Sequence, residues 1–290
     1  MNKYREKVSR RGTADCPVSR YTVIRQEPGA SFANIHWHPE TEIRDMKEGS
    51  VMMRIGRQTF PLLAGQIAFV SPGQLHTIWG IEPNSRIDSV VFSLELLTLP
   101  ESHFFQRDMI APLISGSIRF PYVIRNNDAA YPVVSNLIKE MHAAEKNSSK
   151  YKPIIFSSLV QLFTAMMDFM EPSSIGLPQH PNEAIKSCLE FMNHNYSQRI
   201  TLQEIAAQAH LHRNYLCALF KEYTGQTVFQ HLTQIRVEAA AKLLRTQSLS
   251  VSRIASMCGF ESTSFFSKKF KAIMGTSPKE YNMQHHKKHS

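Results

Sequence analysis

The stretch from Ile200 to Tyr281 constrains this 290-residue chain most, because it states one pattern twice. Thr201-Leu202-Gln203-Glu204-Ile205-Ala206, Tyr215-Leu216, Leu219-Phe220-Lys221 and Gly225 come first; Ser250-Val251-Ser252-Arg253-Ile254-Ala255, Phe265-Phe266, Phe270-Lys271 and Gly275 follow. The offset is 49 residues from Ala206 to Ala255 and 50 from Gly225 to Gly275, so the second copy carries one extra residue in its turn. A duplicated pair of short helices accounts for this, with helix-turn-helix units at about 202–223 and 251–274. Thr201 and Glu204 form a capping box that predicts the first helix start. Leu202, Ile205, Ala206 and Ala209 give that helix one apolar face, and the small Ala206 lets the next helix approach closely. The second helix turns Leu216, Leu219, Phe220 and Tyr223 inward and stops before Gly225, a suitable residue just past a helix end.

Outward, the first pair presents Arg213, Asn214, Cys217, Ala218 and Lys221, and the second presents Thr263, Ser264, Ser267, Lys268 and Lys271. Short polar groups and Arg near a helix N-terminus suit base edges, and lysines further along suit phosphates. One such face is equally expected on any solvated bundle. Two in a basic region point to double-stranded DNA. Residues 183–290 hold 14 Lys and Arg against 7 Asp and Glu, a net +7, while residues 1–182 hold 19 against 17, a net +2. Between the pairs, Val228 to Arg245 repeats Leu232, Ile235, Val237, Ala240, Leu243 and Leu244 as one amphipathic helix. Such a connector is expected to hold the two readers roughly 34 Å apart, about one turn of DNA.

The remainder has a different character. From Tyr21 to about Phe92, short apolar or alternating runs read as antiparallel strands of a barrel or sandwich: Ser31 to Trp37, Ser50 to Ile55, Gln66 to Val70, His76 to Trp79 and Ile87 to Phe92. Turn signals such as Ala64-Gly65 and Ser71-Pro72-Gly73 separate them. Val133, Val134, Leu137, Ile138 and Met141 then recur at helical spacing. A second helix opens near Pro153 and carries Ile155, Leu159, Leu162, Phe163, Met166, Met167 and Met170, an apolar face wide enough for its own barrel and for a second subunit. The Pro- and Ser-rich run from Glu171 to Pro181 marks a boundary. The expected division is a sensing and dimerising domain over 1–171, a linker over 172–182 and a DNA-binding domain over 183–290. Four cysteines without CxxC spacing argue against a disulfide framework or a cysteine zinc site. No apolar run is long enough to span a membrane and the N-terminus lacks a signal-peptide core, so a cytoplasmic protein without membrane association is expected.

The residues just quoted, with Arg236-Val237, Ala241-Lys242-Leu243-Leu244, Gly259-Phe260 and Pro278-Lys279-Glu280-Tyr281, closely resemble the AraC/XylS family of bacterial transcription regulators over essentially all of 183–283. The resemblance implies a seven-helix unit with two helix-turn-helix motifs, usually activating transcription by touching RNA polymerase near the promoter. His212 departs from the family's usual serine-like helix cap, which predicts a weaker start for the first recognition helix. Cys217 and Ala218 stand where long polar readers are common, leaving Arg213 and Asn214 to lead.

His36-Trp37-His38 with Glu42, and Gly65 to Pro72-Gly73 with His76, resemble the two motifs of the cupin barrel. In metal-binding cupins two His and a Glu from the first motif and a His from the second converge, and imidazole with carboxylate suits Fe(II), Mn(II), Ni(II) or Zn(II). His36 and His38 alternate onto one strand face, and Trp37 alternates away as packing. In sensor domains of regulators, however, the resemblance implies that these residues persist without metal. His36, His38, Glu42 and His76 are therefore expected to bind the hydroxyls of a small effector, a sugar by family analogy, with no cofactor and no enzymatic activity. The rival is a metal-dependent cupin enzyme fused to a DNA-binding domain, with the same four residues as ligands. Arg25, Arg54 and Trp79 are further pocket candidates.

Overall fold

The computed structural model describes residues 16–24, 35–80, 85–172, 180–247 and 249–286. The chain divides into two compact units, one ending at Gln179 and the other beginning at His180. Arg25, the first four residues of the strand expected from Ser31 to Trp37 and most of the expected linker lie outside the described residues; of that strand, His36 forms a single bridge to His76.

The N-terminal unit is built from antiparallel strands. β1 (Val18–Ile24), β2 (Thr41–Glu48), β3 (Ser50–Ile55), β4 (Gln58–Leu63), β5 (Gln66–Val70), β6 (His76–Gly80) and β7 (Arg86–Phe92) come first, and β8 (Ile118–Arg119), β9 (Val123–Arg125) and β10 (Glu171–Pro172) follow. One sheet runs β1-β7-β2-β5-β9, a second runs β4-β3-β6, and β10 pairs with β8. The two larger sheets enclose an apolar interior of Met46, Val51, Met53, Ile55, Leu62, Ala68, Val70, Ile78 and Ile87. Because strand side chains alternate, the other face of the five-stranded sheet shows Val18, Ile43, Ile67, Phe69, Val90 and Phe92. Helices cover that face. A π-helical turn, Gln106–Ile110, leads into α1 (Ala111–Ser115), and α2 (Ala130–Ala143) packs on α3 (Tyr151–Met166). Pro61 sits in β4, an edge strand, where a missing N–H is tolerated.

β2 is central to the larger sheet yet is not among the strands expected from the sequence. Its run TEIRDMKE carries five charged residues and shows no apolar alternation. The structure buries most of them: Glu42, Arg44 and Asp45 are each 5 % exposed or less. Ile43 joins the helix-covered core and Met46 the interior, so Glu42 and Arg44 share the interior side with Met46. The predicted helix opening at Pro153 begins two residues earlier, at Tyr151, and of its expected apolar face Met167 is exposed.

The C-terminal unit is helical: α4 (His180–Asn195), α5 (Leu202–Gln208), α6 (Arg213–Thr224), α7 (Val228–Thr246), α8 (Val251–Met257), α9 (Thr263–Met274) and α10 (Pro278–His286). α5 and α8 begin 49 residues apart and α6 and α9 begin 50 apart, as the offsets require. Thr201 and Glu204 make the reciprocal capping box, and Ser250 caps α8. Both turns close alike, Leu211 N–H on the Ala206 carbonyl and Phe260 N–H on the Ala255 carbonyl, each at 3.0 Å. The inserted residue is thus Glu261, between Phe260 and the cap residue Ser262. The connector α7 is more than a spacer. It packs on α8 and α9 as α4 packs on α5 and α6, so the repeat is a three-helix unit. Val237, Ala240, Ala241 and Leu244 of α7 close a core with Ile254, Ala255, Cys258, Phe266 and Phe270.

Candidate DNA-binding faces and ligand cluster

On α6, Arg213, Asn214, Cys217, Ala218 and Lys221 are exposed while Leu216, Leu219 and Phe220 are buried. On α9, the positions 50 residues later behave the same way: Thr263, Ser264, Lys268 and Lys271 are exposed, Ser267 is half-buried, and Phe266 and Phe270 are buried. Each helix therefore presents the expected polar strip, with no acidic residue in its first turn and lysine in its last. His212 does cap α6: its Nδ1 accepts the Asn214 N–H at 3.4 Å, near the limit of a hydrogen bond. Tyr215 and Phe265 are about half exposed beside these strips, 54 % and 50 %. In the sequence they stand out only as repeat markers, although an aromatic recurring at the edge of a polar face is the available signal.

Arg236 of α7 is a further residue whose role the sequence does not reveal. Its guanidinium donates to the Tyr196 and Gln198 carbonyls, both at 2.8 Å, and lies 6.0 Å from the Phe260 ring centre. It thereby ties the segment before α5 to the turn before α9. Gly259 completes this junction: at φ 80°, a Cβ there would fall 2.5 Å from the Tyr196 carbonyl oxygen and 3.0 Å from Arg236 Nε.

In the N-terminal unit, His36, His38, Glu42 and His76 converge, with one ligand-type atom from each lying within 4.8 Å of the others. His36 pairs backbone to backbone with His76 at the start of β6, N–H to carbonyl at 3.0 and 2.9 Å. The Ser71-Pro72-Gly73 turn fixes the next residues, since Gly73 N–H donates to the His38 carbonyl at 2.8 Å. Glu42 reaches in from β2. Its Oε2 lies 3.3 Å from His38 Nε2 and 3.1 Å from His76 Nε2, and its Oε1 meets Arg44 at 2.8 Å and accepts from the Tyr21 hydroxyl. Tyr21 and Arg44 are not legible as neighbours in the sequence because β1 and β2 meet only through β7, where both pair with Ser89. Burial raises the Glu42 carboxyl's affinity for a proton, but Arg44 and the two histidines outweigh it and hold the group well below the usual range. Burial, aided by His36, brings His76 down to about 3, whereas Glu42 overcomes burial and raises His38. Trp37 is buried. Arg54 and Trp79 alternate with Met53, Ile55 and Ile78 of the interior, which puts them on the opposite face from His76 and outside this cluster.

Comparison with known proteins follows the same division. Residues 18–151 match a family model described as an AraC-like ligand binding domain, and residues 205–284 match one described as a helix-turn-helix domain. The chain is 23 % identical over 280 residues to the HTH-type transcriptional regulator YdeC of Bacillus subtilis, covering 93 % of this chain and 92 % of that one. It is 24 % identical over 284 residues to the HTH-type transcriptional activator RhaR of Mannheimia succiniciproducens, covering 93 % and 94 %. It is also 29 % identical over 156 residues to the raffinose operon transcriptional regulatory protein RafR of Pediococcus pentosaceus, covering 53 % and 55 %. Among solved structures, apo ToxT from Vibrio cholerae is 14 % identical, with a TM-score of 0.45 over 95 % of this chain and all of that one.

Proposed function

The chain belongs to the AraC family of transcription regulators, joining a ligand-binding domain to a helix-turn-helix DNA-binding domain, and from that premise we propose a sequence-specific activator governed by a small polyhydroxyl effector, a sugar. The observation that carries the reading is the duplicated polar strip on α6 and α9, presented at the same positions by a domain of net charge +7. Arg213, Asn214 and Cys217 of the first strip, and Thr263, Ser264, Ser267 and Lys268 of the second, face base edges. Lys221 and Lys271, a turn or more further along, meet phosphates. The sugar class is supported by the names of relatives such as the raffinose regulator and the melibiose operon regulatory protein of Escherichia coli.

His36, His38, Glu42 and His76 form the ligand-binding centre in this reading. Effector binding favours one arrangement of a homodimer, and the difference in its affinity for the two arrangements sets the size of the response. Val133 on α2 and Phe156 on α3, each 45 % exposed, support pairing of two chains through these helices. Contact with RNA polymerase completes activation. Footprinting of the promoter with and without a panel of sugars tests this. Protection of two major-groove segments about one helical turn apart, altered by one sugar, is the expected result. Unchanged protection and transcription across the panel removes the effector.

A further inference from the structure

The two polar strips sit on separate three-helix repeats, and the joint between those repeats is only partly packed. The C-terminal half of α7 belongs to the second repeat, where Val237, Ala240, Ala241 and Leu244 close the core with α8 and α9. Its N-terminal half leans on the first, with His231 against the Phe220 ring at 5.6 Å. Beside α7 the repeats leave a cavity of about 690 Å³, with Arg199 and Ile200 of the first, Phe229 and Leu232 of α7, and Phe260 and Phe265 of the second in its walls. A space of that size admits water, so apolar packing is interrupted along this side of the joint and does not by itself fix the angle between the repeats.

Arg236 bridges that joint. Its guanidinium Nε and Nη2 donate to the Tyr196 and Gln198 carbonyls, both at 2.8 Å, in the segment that links α4 to α5, while its Cζ lies 6.0 Å from the Phe260 ring centre in the turn before α9. The fork is planar and its donors have fixed directions, so two bonds to two carbonyls set an orientation as well as a distance. Tyr196 follows the last residue of α4, where helix carbonyls favour a cation. Gly259 admits the close approach, since a Cβ there would fall 2.5 Å from the Tyr196 carbonyl oxygen. The duplication shows that neither residue is needed by a three-helix repeat as such. Ile185, Cys188, Leu189 and Met192 of α4 are buried as Val237, Ala240, Ala241 and Leu244 of α7 are, 52 residues later. On that register Arg236 corresponds to Ala184, and Gly259 corresponds to His210 in the turn. The first repeat folds with alanine and histidine where the second has arginine and glycine, so the latter two serve the joint.

We propose that Arg236 is a positioning residue that fixes the separation and angle of α6 against α9, and so makes the protein selective for the number of base pairs between its two major-groove segments. One base pair more or fewer moves the second segment by about 3.4 Å and turns it by about 34° around the duplex axis. A joint held by α7 and an oriented fork does not follow that displacement, whereas one held by α7 alone swings over the cavity. This rests on the reading of α6 and α9 as the DNA-binding helices and adds what sets their spacing.

The test has one readout without DNA and one with it. Cys217 on α6 is exposed whereas Cys16, Cys188 and Cys258 are buried. In the full-length chain, a nitroxide on Cys217 and a second on Ser264→Cys report the distance between α6 and α9 by double electron–electron resonance, with labelled chain diluted in unlabelled chain to suppress signals between chains. A single narrow distribution is expected for the parent. A broadened one is expected for Arg236→Met, which removes the donors, and for Arg236→Lys, which keeps the charge and loses the fork. The unlabelled proteins are then titrated against duplexes recovered by binding-site selection with the parent, and against the same duplexes with one base pair inserted or deleted between the two segments. The parent's preference for the original spacing should fall by about 10-fold or more in both variants, the worth of a charge-assisted hydrogen bond. Distance distributions as narrow in the variants as in the parent overturn the proposal, as does an unchanged spacing preference. So does an equal loss of affinity at every spacing that Arg236→Lys restores, the mark of a phosphate contact, and so does failure of both variants to fold by circular dichroism, the mark of a residue the fold itself requires. Broadening in the variants of a parent that binds no DNA supports the joint and removes the regulatory reading alone.

Discussion

Two residues at equivalent turn positions, His210 and Gly259, solve the same backbone problem differently. Both have positive φ, 52° and 80°. His210 is exposed, so its side chain is accommodated and only the left-handed conformation is unfavourable, by roughly 1–2 kcal/mol for an L-residue. Gly259 is hemmed in by Tyr196 and Arg236. His210→Gly should leave stability unchanged or raise it by up to about 1 kcal/mol, the chain-entropy cost of glycine offsetting part of the gain. Gly259→Ala should cost about 2 kcal/mol or more, because conformation and collision add. Urea unfolding midpoints compare them; equal effects would remove the distinction. His231 offers a pH test. It is fully buried against Phe220, donates to Gln226 at 3.2 Å, and burial brings it down to about 3. Unfolded, it titrates at about 6.5 and binds more protons than the folded state between the two values. Its contribution is therefore complete above about pH 6.5 and declines as pH falls toward 3, by up to about 1.4 kcal/mol per unit. His231→Gln should flatten that part of the pH-stability profile; an unchanged slope would show another group to be responsible.

Among elements, α6 and α9 are the most legible. Their apolar faces, glycine stops and offsets all lie within a dozen local residues, and a helix buries a stripe that its own sequence spells out. β2 is the least legible because a strand whose charges are buried reads as a loop until the groups that hydrogen-bond them, among them Tyr21 on Glu42 and Ser135 on Asp45, arrive from elsewhere. The matched strips lead to a prediction about base recognition. Arg213→Ala and Lys268→Ala should each relax sequence preference at a few base pairs, by about 1–3 kcal/mol for every base edge no longer hydrogen-bonded. Binding-site selection on randomised DNA measures this, and unchanged preference in both variants would reassign the reading faces.

For the molecule as a whole, the uneven charge has a measurable consequence. With +7 of the formal +9 in residues 183–290, DNA affinity should fall steeply with salt, and Lys271→Ala should weaken binding to all sequences alike while lowering the salt slope by about 0.9. A slope equal to that of the parent protein would take Lys271 off the phosphate backbone. No helix among the described residues is long and apolar enough to cross a membrane. By itself the sequence determined the duplicated helix units, the strand-rich N-terminal part and the four residues His36, His38, Glu42 and His76, since periodicity, caps, turn residues and residue type are local properties. Only the tertiary structure decided that both histidine Nε2 atoms converge on a single Glu42 oxygen, that Tyr21 and Arg44 hold the other, and that Arg236 joins the two halves of the C-terminal unit. Those contacts link residues far apart in the chain, and their energies depend on burial and angle, which exist only once the strands and helices have packed.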